Sequence, residues 1–397
     1  MMRVLVFVSL LALATAEVYF DEPFSGSWKD RWVSSDWKKD EGTNGKWGWS
    51  HGDFYGDAQE DKGLMTKQDA RYYAISAKMD KKFDNEGKDL VIQYSVKLPS
   101  FVDCGGGYIK VMRSGTDQKS FSGSSDYAVM FGTDICGTTT RKIQAILNYK
   151  DENLLKKTEV PCETDKFTHF NTFIIRPDNT YTIKIDNVEK ASGSLYDEWP
   201  FLKPKKIADP DAKMPSDWVD EPLIDDPNDK KPDDWVEVAK IPDPEAKMPE
   251  DWDEEADGEW TPPMIPNESY KGEWKPKKIP NPDYQGKWVA PEIDNPDFVD
   301  DPEIYVQKDL EYVGFELWQM KSNWIFDNIL VTDDVTLASE RVEAWLKKNK
   351  AAESKMNEDI EAEERKKAEA QRKAAESKTD DKDDDEIDLD DDEKDEL

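Results

Sequence analysis

Proline limits what this chain can fold into. Seventeen of its 23 prolines lie between residues 203 and 300. Neither a helix interior nor the middle of a sheet accepts that density, because proline lacks an N–H and fixes φ. The stretch is also periodic. IADPDAKMPSDW, IDDPNDKKPDDW and IPDPEAKMPEDW end at Trp218, Trp235 and Trp252, a step of 17 residues. GEWTPPMIPN, GEWKPKKIPNPDY and GKWVAPEIDNPDF carry Trp260, Trp274 and Trp288, a step of 14. A fixed period signals repeated structural units. Each unit is too small to bury a core alone, so two must face each other, packing Trp against Trp and Pro across a pair of short strands. Three copies of one kind followed by three of another predict a chain that runs out, turns near Glu254–Gly258 and returns. First then faces last, second faces fifth and third faces fourth. A buried Trp covers ~150–250 Å², so each facing pair is a local stabiliser coupled mainly to its neighbours. A disordered linker would have no need of a periodic Trp.

The chain ends carry addresses. Met1 to Ala16 reads as a secretory signal: Arg3, the apolar run VLVFVSLLALA, then Ala14-Thr15-Ala16 as a cleavage site before Glu17. Lys394-Asp395-Glu396-Leu397 is a retrieval address read by a receptor of the KDEL type. Together they place the protein in the lumen of the endoplasmic reticulum (ER). No other stretch is apolar and long enough to span a bilayer. A net charge of −34 argues against nucleic acid and anionic membranes as partners, and for cations.

A chain of 397 residues would allow two or three domains. The arm at 203–300 and a charged region at 336–397 leave one core-forming domain, built from 17–202 and 301–335. LVIQYSVKL (Leu90–Leu98), IQAILNY (Ile143–Tyr149) and FTHFNTFIIR (Phe167–Arg176) are rich in β-branched and aromatic residues. YTIKIDN alternates strictly, and Pro177-Asp178-Asn179 reads as a hairpin turn. Beyond the arm, WIFDNILVT (Trp324–Thr332) resumes the strand pattern. The arm is therefore an insertion in an all-β sandwich.

Cys104, Cys136 and Cys162 sit in an oxidising compartment, so one bridge and one spare thiol are expected. A Cys104–Cys136 bridge would close a loop of about 33 residues and stabilise by roughly 3–4 kcal/mol. Only His51 and His169 are available to a zinc site, and no cysteine has ligand spacing. His169 reads as a packed or hydrogen-bonded histidine. No nucleophile–base arrangement, Cys-x-x-Cys or phosphate loop occurs, so no enzyme activity is expected.

DCGGGYIKVM (Asp103–Met112), DYAVMFGTDICG (Asp126–Gly137), RPDNTYTIKIDN (Arg176–Asn187), both repeat sets and the acidic tail resemble, in that order, the calreticulin/calnexin family of ER lectin chaperones. The likeness covers essentially the whole chain and favours the branch without a membrane span. It implies a jelly-roll, legume-lectin-like β-sandwich with an inserted proline-rich hairpin arm, then a C-terminal helix and an acidic disordered tail. It further implies that Tyr108, Lys110, Tyr127, Asp134 and Glu316 contact the terminal glucose of a monoglucosylated high-mannose N-glycan, with Met130 lining the same surface. Trp318 comes from the strand after the arm and is grouped with them. Such a site needs carboxylates to pair with hydroxyls and rings to stack on a pyranose. Gly105-Gly106-Gly107 would allow close backbone approach or unusual φ beside it. The family usually carries Asp where this chain has Glu316, which keeps the charge and displaces it by a methylene.

The resemblance also implies a structural Ca²⁺ site held by the Asp327 side chain and by backbone carbonyls of Pro23, Glu60 and Lys62. Backbone ligands tolerate changes of side chain, and oxygen donors suit a hard cation. At the arm tip, Glu255, Asp257, Glu259 and Trp260 resemble the surface that recruits an ER thiol–disulfide isomerase. Asn267-Glu268-Ser269 is a glycosylation sequon.

In the C-terminal region, Ala338, Val342, Trp345 and Leu346 form one helical stripe that should dock on the sandwich. Residues 347–378 read as a solvated helix with charges at i, i+4. Residues 380–397 hold 13 acidic residues, a block that repels itself and would bind many Ca²⁺ ions weakly. The expectation is a monomeric lectin chaperone that also buffers calcium. A different class fits many of the same features: a calcium store and scaffold that binds unfolded polypeptide without sugar.

Overall fold

The computed structural model describes residues 16–252 and 258–380, with side chains to residue 373. All but the last residue of the expected leader (1–16), the arm turn with Glu255 and Asp257, and the acidic tail beyond residue 380 with its retrieval address lie outside the described residues. The chain forms two compact units. One comprises residues up to Lys203 and from Val299 onward; the other is Pro204–Phe298.

Alternating apolar residues build two antiparallel sheets in the first unit. One sheet runs β14 (Val188–Ser194), β13 (Thr180–Ile185), β12 (Thr168–Ile175), β6 (Leu90–Lys97), β22 (Ile325–Thr332), β4 (Gly63–Thr66), β3 (Trp47–Ser50), with β1 (Val18–Glu22) also on β22. The other runs β10 (Glu152–Leu155), β9 (Thr140–Tyr149), β8 (Val129–Cys136), β7 (Cys104–Arg113), β21 (Leu310–Gln319), β5 (Arg71–Phe83), β2 (Trp32–Ser34), with β11 (Val160–Pro161) on β9. Rings from the two inner faces meet between the sheets: Phe131 stacks on Phe173 at 5.2 Å and Phe315 meets Phe326 at 4.4 Å. This is the expected sandwich. The turn between β12 and β13 is also as expected, with Asn179 left-handed at φ 59°.

Both strands that follow the arm occupy central places. β21 lies between β7 and β5, and β22 between β6 and β4. The helix Val335–Trp345, capped by the Asp334 carboxylate, lays Ala338 against Val91, Ile174 and Leu330 on the outer face of the first sheet. The next helix, Ala351–Asp380, is not solvated at its start. Glu353 and Asn357 are buried, and Glu353 pairs with Lys97 of β6. The solvated reading therefore fails over these turns.

In the second unit, β15 (Lys206–Ala208) pairs with β20 (Glu292–Asp294), β16 (Leu223–Asp225) with β19 (Lys278–Pro280), and β17 (Lys240–Pro242) with β18 (Met264–Pro266). First faces last and third faces fourth. Ile207, Ile224 and Ile241 lie opposite Ile293, Ile279 and Ile265. The repeats did not foretell the polar clasp of each rung. Indole N–H groups of Trp218, Trp235 and Trp252 donate to the carbonyls of Gly286, Gly272 and Gly258, each at 2.9 Å.

Candidate functional site

Directly opposed residues of antiparallel strands point to the same face. Asp134 opposes Gly106, Gly132 opposes Tyr108 and Met130 opposes Lys110. Gly314 of β21 opposes Lys110 from the other side, and Glu316 and Trp318 follow it at the period of two. Tyr108, Lys110, Met130, Asp134, Glu316 and Trp318 therefore share the outer face of the second sheet. Tyr127 joins them: the Lys110 ammonium lies 4.8 Å from its ring centre.

The pair at the centre is Lys110 and Glu316, 2.8 Å apart and both buried. Burial on an outer sheet face has a visible cause. The segment before β8 folds over it, seating Phe121 against Ala74 and Met112 beside Trp37, Tyr127 and Tyr312. Glu316 thus stays close to Lys110 despite its extra methylene. Burial raises the Tyr108 phenol above the ordinary tyrosine range, and the charges of Glu316 and Asp134 push the same way. Its hydroxyl stays protonated and able to donate. Burial and the Glu316 charge also raise Tyr127.

The opposite sheet sets the backbone under these side chains. The buried Tyr94 hydroxyl donates to the Gly107 carbonyl and accepts from the Thr133 N–H. A Cβ at Gly132, where φ is +133°, would stand 1.8 Å from that hydroxyl, so only glycine fits. The Gly105–Gly107 run serves close approach rather than unusual φ: a Cβ at Gly107 would meet Trp324 at 2.6 Å. A Cys104–Cys136 disulfide ties β7 to β8 beside the site. Cys162 is free and half-buried, and burial pushes its thiol up to about 12.

Three neighbours escaped the sequence reading. Gln144 of β9 donates to Asp134 at 2.8 Å. Tyr72 lies 4.6 Å from Trp318, and Trp37 lies 5.0 Å from Tyr72, so aromatic rings continue away from Glu316. Alternation along IQAILNY places Gln144 outward, but nothing in the sequence says which strand adjoins β8.

The second candidate site lies at the outer face of the first sheet. Asp327 is buried beside a break in register on β22, where Asn328 turns left-handed at φ 52°. Burial pushes its carboxyl well above the usual range. Asp61 and Glu22 push the same way, against the Asn328 N–H. Two of the segments expected to supply carbonyls converge. The Trp49 indole donates to Phe24 O at 2.9 Å and Lys62 O at 3.2 Å, and a Cβ at Gly63 would lie 3.0 Å from that of Asp327. Pro23 follows Glu22, which opposes Ile329 of β22. Glu60 lies in the loop before β4, where its side chain contacts Lys348. Among the described residues no group of three or more His, Cys, Asp or Glu is arranged to hold a metal. A site here would rest on carbonyls plus one carboxylate, and a buried negative excess fits a hard cation.

At the described edge of the arm tip, Glu259 is exposed and Trp260 half-buried. His169, on β12, is held by Asp186 at 2.8 Å and Asp165 at 2.9 Å, a structural pairing.

A two-sheet antiparallel sandwich, interrupted by a proline-rich hairpin and carrying polar and aromatic residues on one sheet face, defines the class of protein. The profile of the Calreticulin family matches residues 19–258 and 255–331. A calreticulin from Chlamydomonas reinhardtii is 55% identical over 356 residues, covering 89% of this chain and 85% of that one. A calreticulin from Onchocerca volvulus is 54% identical, covering 86% and 87%. The solved T. cruzi calreticulin globular domain superposes with a TM-score of 0.63 at 29% identity, covering 87% of this chain and 99% of that one. The chain belongs to the calreticulin family, a family of chaperones rather than enzymes. No helix among the described residues is long and apolar enough to cross a membrane.

Proposed function

We propose that this protein is a lectin chaperone of the ER lumen that reads the terminal glucose of monoglucosylated high-mannose N-glycans on folding glycoproteins. The observation that carries the reading is the convergence of Tyr108, Lys110, Tyr127, Met130 and Asp134 with Glu316 and Trp318, which come from beyond a long insertion. Carboxylates and a protonated phenol meet the hydroxyls, the Lys110–Glu316 pair fixes donor and acceptor positions, and Trp318 offers a partly exposed ring for stacking. No bond is made or broken.

Calcium belongs to the same proposal. Asp327 with the Pro23, Glu60 and Lys62 carbonyls would hold one ion, which would neutralise buried negative charge. The acidic tail would hold more ions weakly. Glu255, Asp257, Glu259 and Trp260 would receive an ER thiol–disulfide isomerase, and the last four residues a retrieval receptor. A glycan array tests the central claim. Monoglucosylated glycans should bind in preference to unglucosylated ones, and Asp134→Ala should abolish binding. Indifference to the glucose would instead favour a calcium store and scaffold that binds polypeptide without sugar.

A further inference from the structure

The C-terminal helices and the cavity around Asp327 share walls. Asp61 joins them. Its Oδ2 accepts the N–H groups of Gly56 at 2.7 Å and Asp57 at 2.9 Å, which folds the loop carrying Glu60 and Lys62. Its Oδ1 accepts the Trp345 indole at 3.1 Å and the Asn349 amide at 3.0 Å. One oxygen therefore serves the loop and the other serves the helical segment. The contact is tight enough that a Cβ at Gly56 would lie 2.6 Å from that of Asn349. Asp61, Lys97, Thr168, Asp327, Asn328 and Trp345 line one cavity.

A second link is electrostatic. The buried Lys97 ammonium, in that same wall, pairs with Glu353 at 2.8 Å. Glu353 comes from the C-terminal helix and also accepts from the Thr168 hydroxyl at 2.8 Å. If the helix lifts away, Glu353 leaves with it. The ammonium then keeps the Phe54 carbonyl and ring but loses its carboxylate partner in the wall of the cavity that Asp327 lines, and in a poorly solvated place like charges repel strongly. Asp61 simultaneously loses both donors on one oxygen.

We propose that docking of residues 345–357 on the sandwich and cation binding at Asp327 form one coupled equilibrium, with Asp61 and the Lys97–Glu353 pair as its links. The inference rests on the calcium reading above. Coupling of this kind is reciprocal: the ion tightens the helix by the same factor as the helix tightens the ion. The helix that leads into the acidic tail is then held down more tightly when the ion is bound. Trp345, Asn349 and Glu353 are positioning residues and do not touch the ion.

The experiment uses the full chain, CaCl₂ titration resolving the tightest site, and hydrogen exchange of residues 345–357 in CaCl₂ or EGTA. Calcium should slow that exchange. Glu353→Gln, which keeps size but strands Lys97, should weaken the tight site about tenfold, within the usual range of coupling between sites. Lys97→Met added to Glu353→Gln should recover most of the loss, which general damage to the fold would not. If Asp327→Asn leaves the tight site intact, the calcium reading is wrong and the coupling falls with it. If Asp327→Asn removes that site, yet helix exchange ignores calcium or Glu353→Gln leaves affinity unchanged, the coupling alone is refuted.

Discussion

Glu316→Gln is the sharpest probe of the outer face. Lys110 is 3% exposed and Glu316 8% exposed, and their charged atoms are 2.8 Å apart. Removing one member of a desolvated pair strands the other, typically at ~3–5 kcal/mol. The Tyr127 ring, 4.8 Å from the ammonium, faces it in parent and variant alike, and the glutamine carbonyl still accepts a hydrogen bond from it, recovering ~1 kcal/mol. The net loss is then ~2–4 kcal/mol. For a sandwich of this size each kcal/mol moves Tm by ~2–4 °C, so the transition should fall by roughly 5–15 °C in calorimetry. Glu316→Asp keeps the charge and should lose much less. Lys110→Met with Glu316→Leu removes both charges and should recover most of the stability, although glycan binding would be gone. A Tm within ~2 °C of the parent for Glu316→Gln would refute the argument, because it would mean that the pair is solvated and carries no buried charge. Glycan affinity must be measured well below the transition of each variant, so that loss of binding is not loss of fold.

Three further outcomes are expected. In the arm, the Asn281 amide donates to Glu221 O at 3.0 Å and its carbonyl accepts from Asp283 N at 3.1 Å; Asn281→Ala should lose ~1–2 kcal/mol. Because rungs couple mainly to neighbours, hydrogen exchange should accelerate at 223–225 and 278–279, and protection lost along the whole arm would contradict this. For His169, burial alone would lower the pKa, but the hydrogen bonds to Asp165 and Asp186 outweigh it and raise the group to about 9. A raised histidine stabilises fully below its unfolded pKa of ~6.5 and loses that contribution as pH climbs toward about 9. The parent should therefore lose about 2–3 kcal/mol over that window relative to His169→Gln, read by urea unfolding at each pH; a constant gap would exclude the linkage. Tyr94→Phe, which leaves Gly107 O and Thr133 N without their buried partner, should destabilise by ~1–3 kcal/mol and weaken glycan binding. Unchanged affinity would show that the backbone under Tyr108 and Asp134 does not depend on it.

Much of this architecture was legible because it is written in short-range pattern. The 17- and 14-residue steps determined which arm segments pair, since only an out-and-back course puts Ile207 opposite Ile293 and Ile241 opposite Ile265. Period-two alternation, with the family resemblance, gathered Tyr108, Asp134 and Glu316. What stayed illegible depends on partners far away in the chain. Glu353 looks like any glutamate in a Glu/Lys-rich helix, and Lys97 looks like the polar end of an alternating strand. Only the fold reveals that they neutralise each other out of water. Gln144 was missed for a related reason: alternation gives its face but not its neighbour. The Pro-rich limbs likewise announced their tryptophans, but not that the indoles of Trp218, Trp235 and Trp252 would be spent on glycine carbonyls.

The place of the insertion has a consequence for when the candidate site can exist. β21 is the strand between β7 and β5, and β22 the strand between β6 and β4. Everything before the arm therefore supplies two sheets each lacking a middle strand. Phe315 and Phe326, which meet at 4.4 Å in the core, are likewise absent from that part of the chain. A chain synthesised only through the arm has the rungs of the arm available as local pairings, with modest loop closure at the innermost one. It has no continuous face joining Tyr108 to Tyr72, because Glu316 and Trp318 are what lies between them. Long-range pairing of this kind forms late, since loop-closure entropy must be met before its contacts form. The order of the sequence thus makes the candidate surface a property of the completed sandwich. Moving the arm to a position after β22 would remove that dependence without altering a single residue of the site.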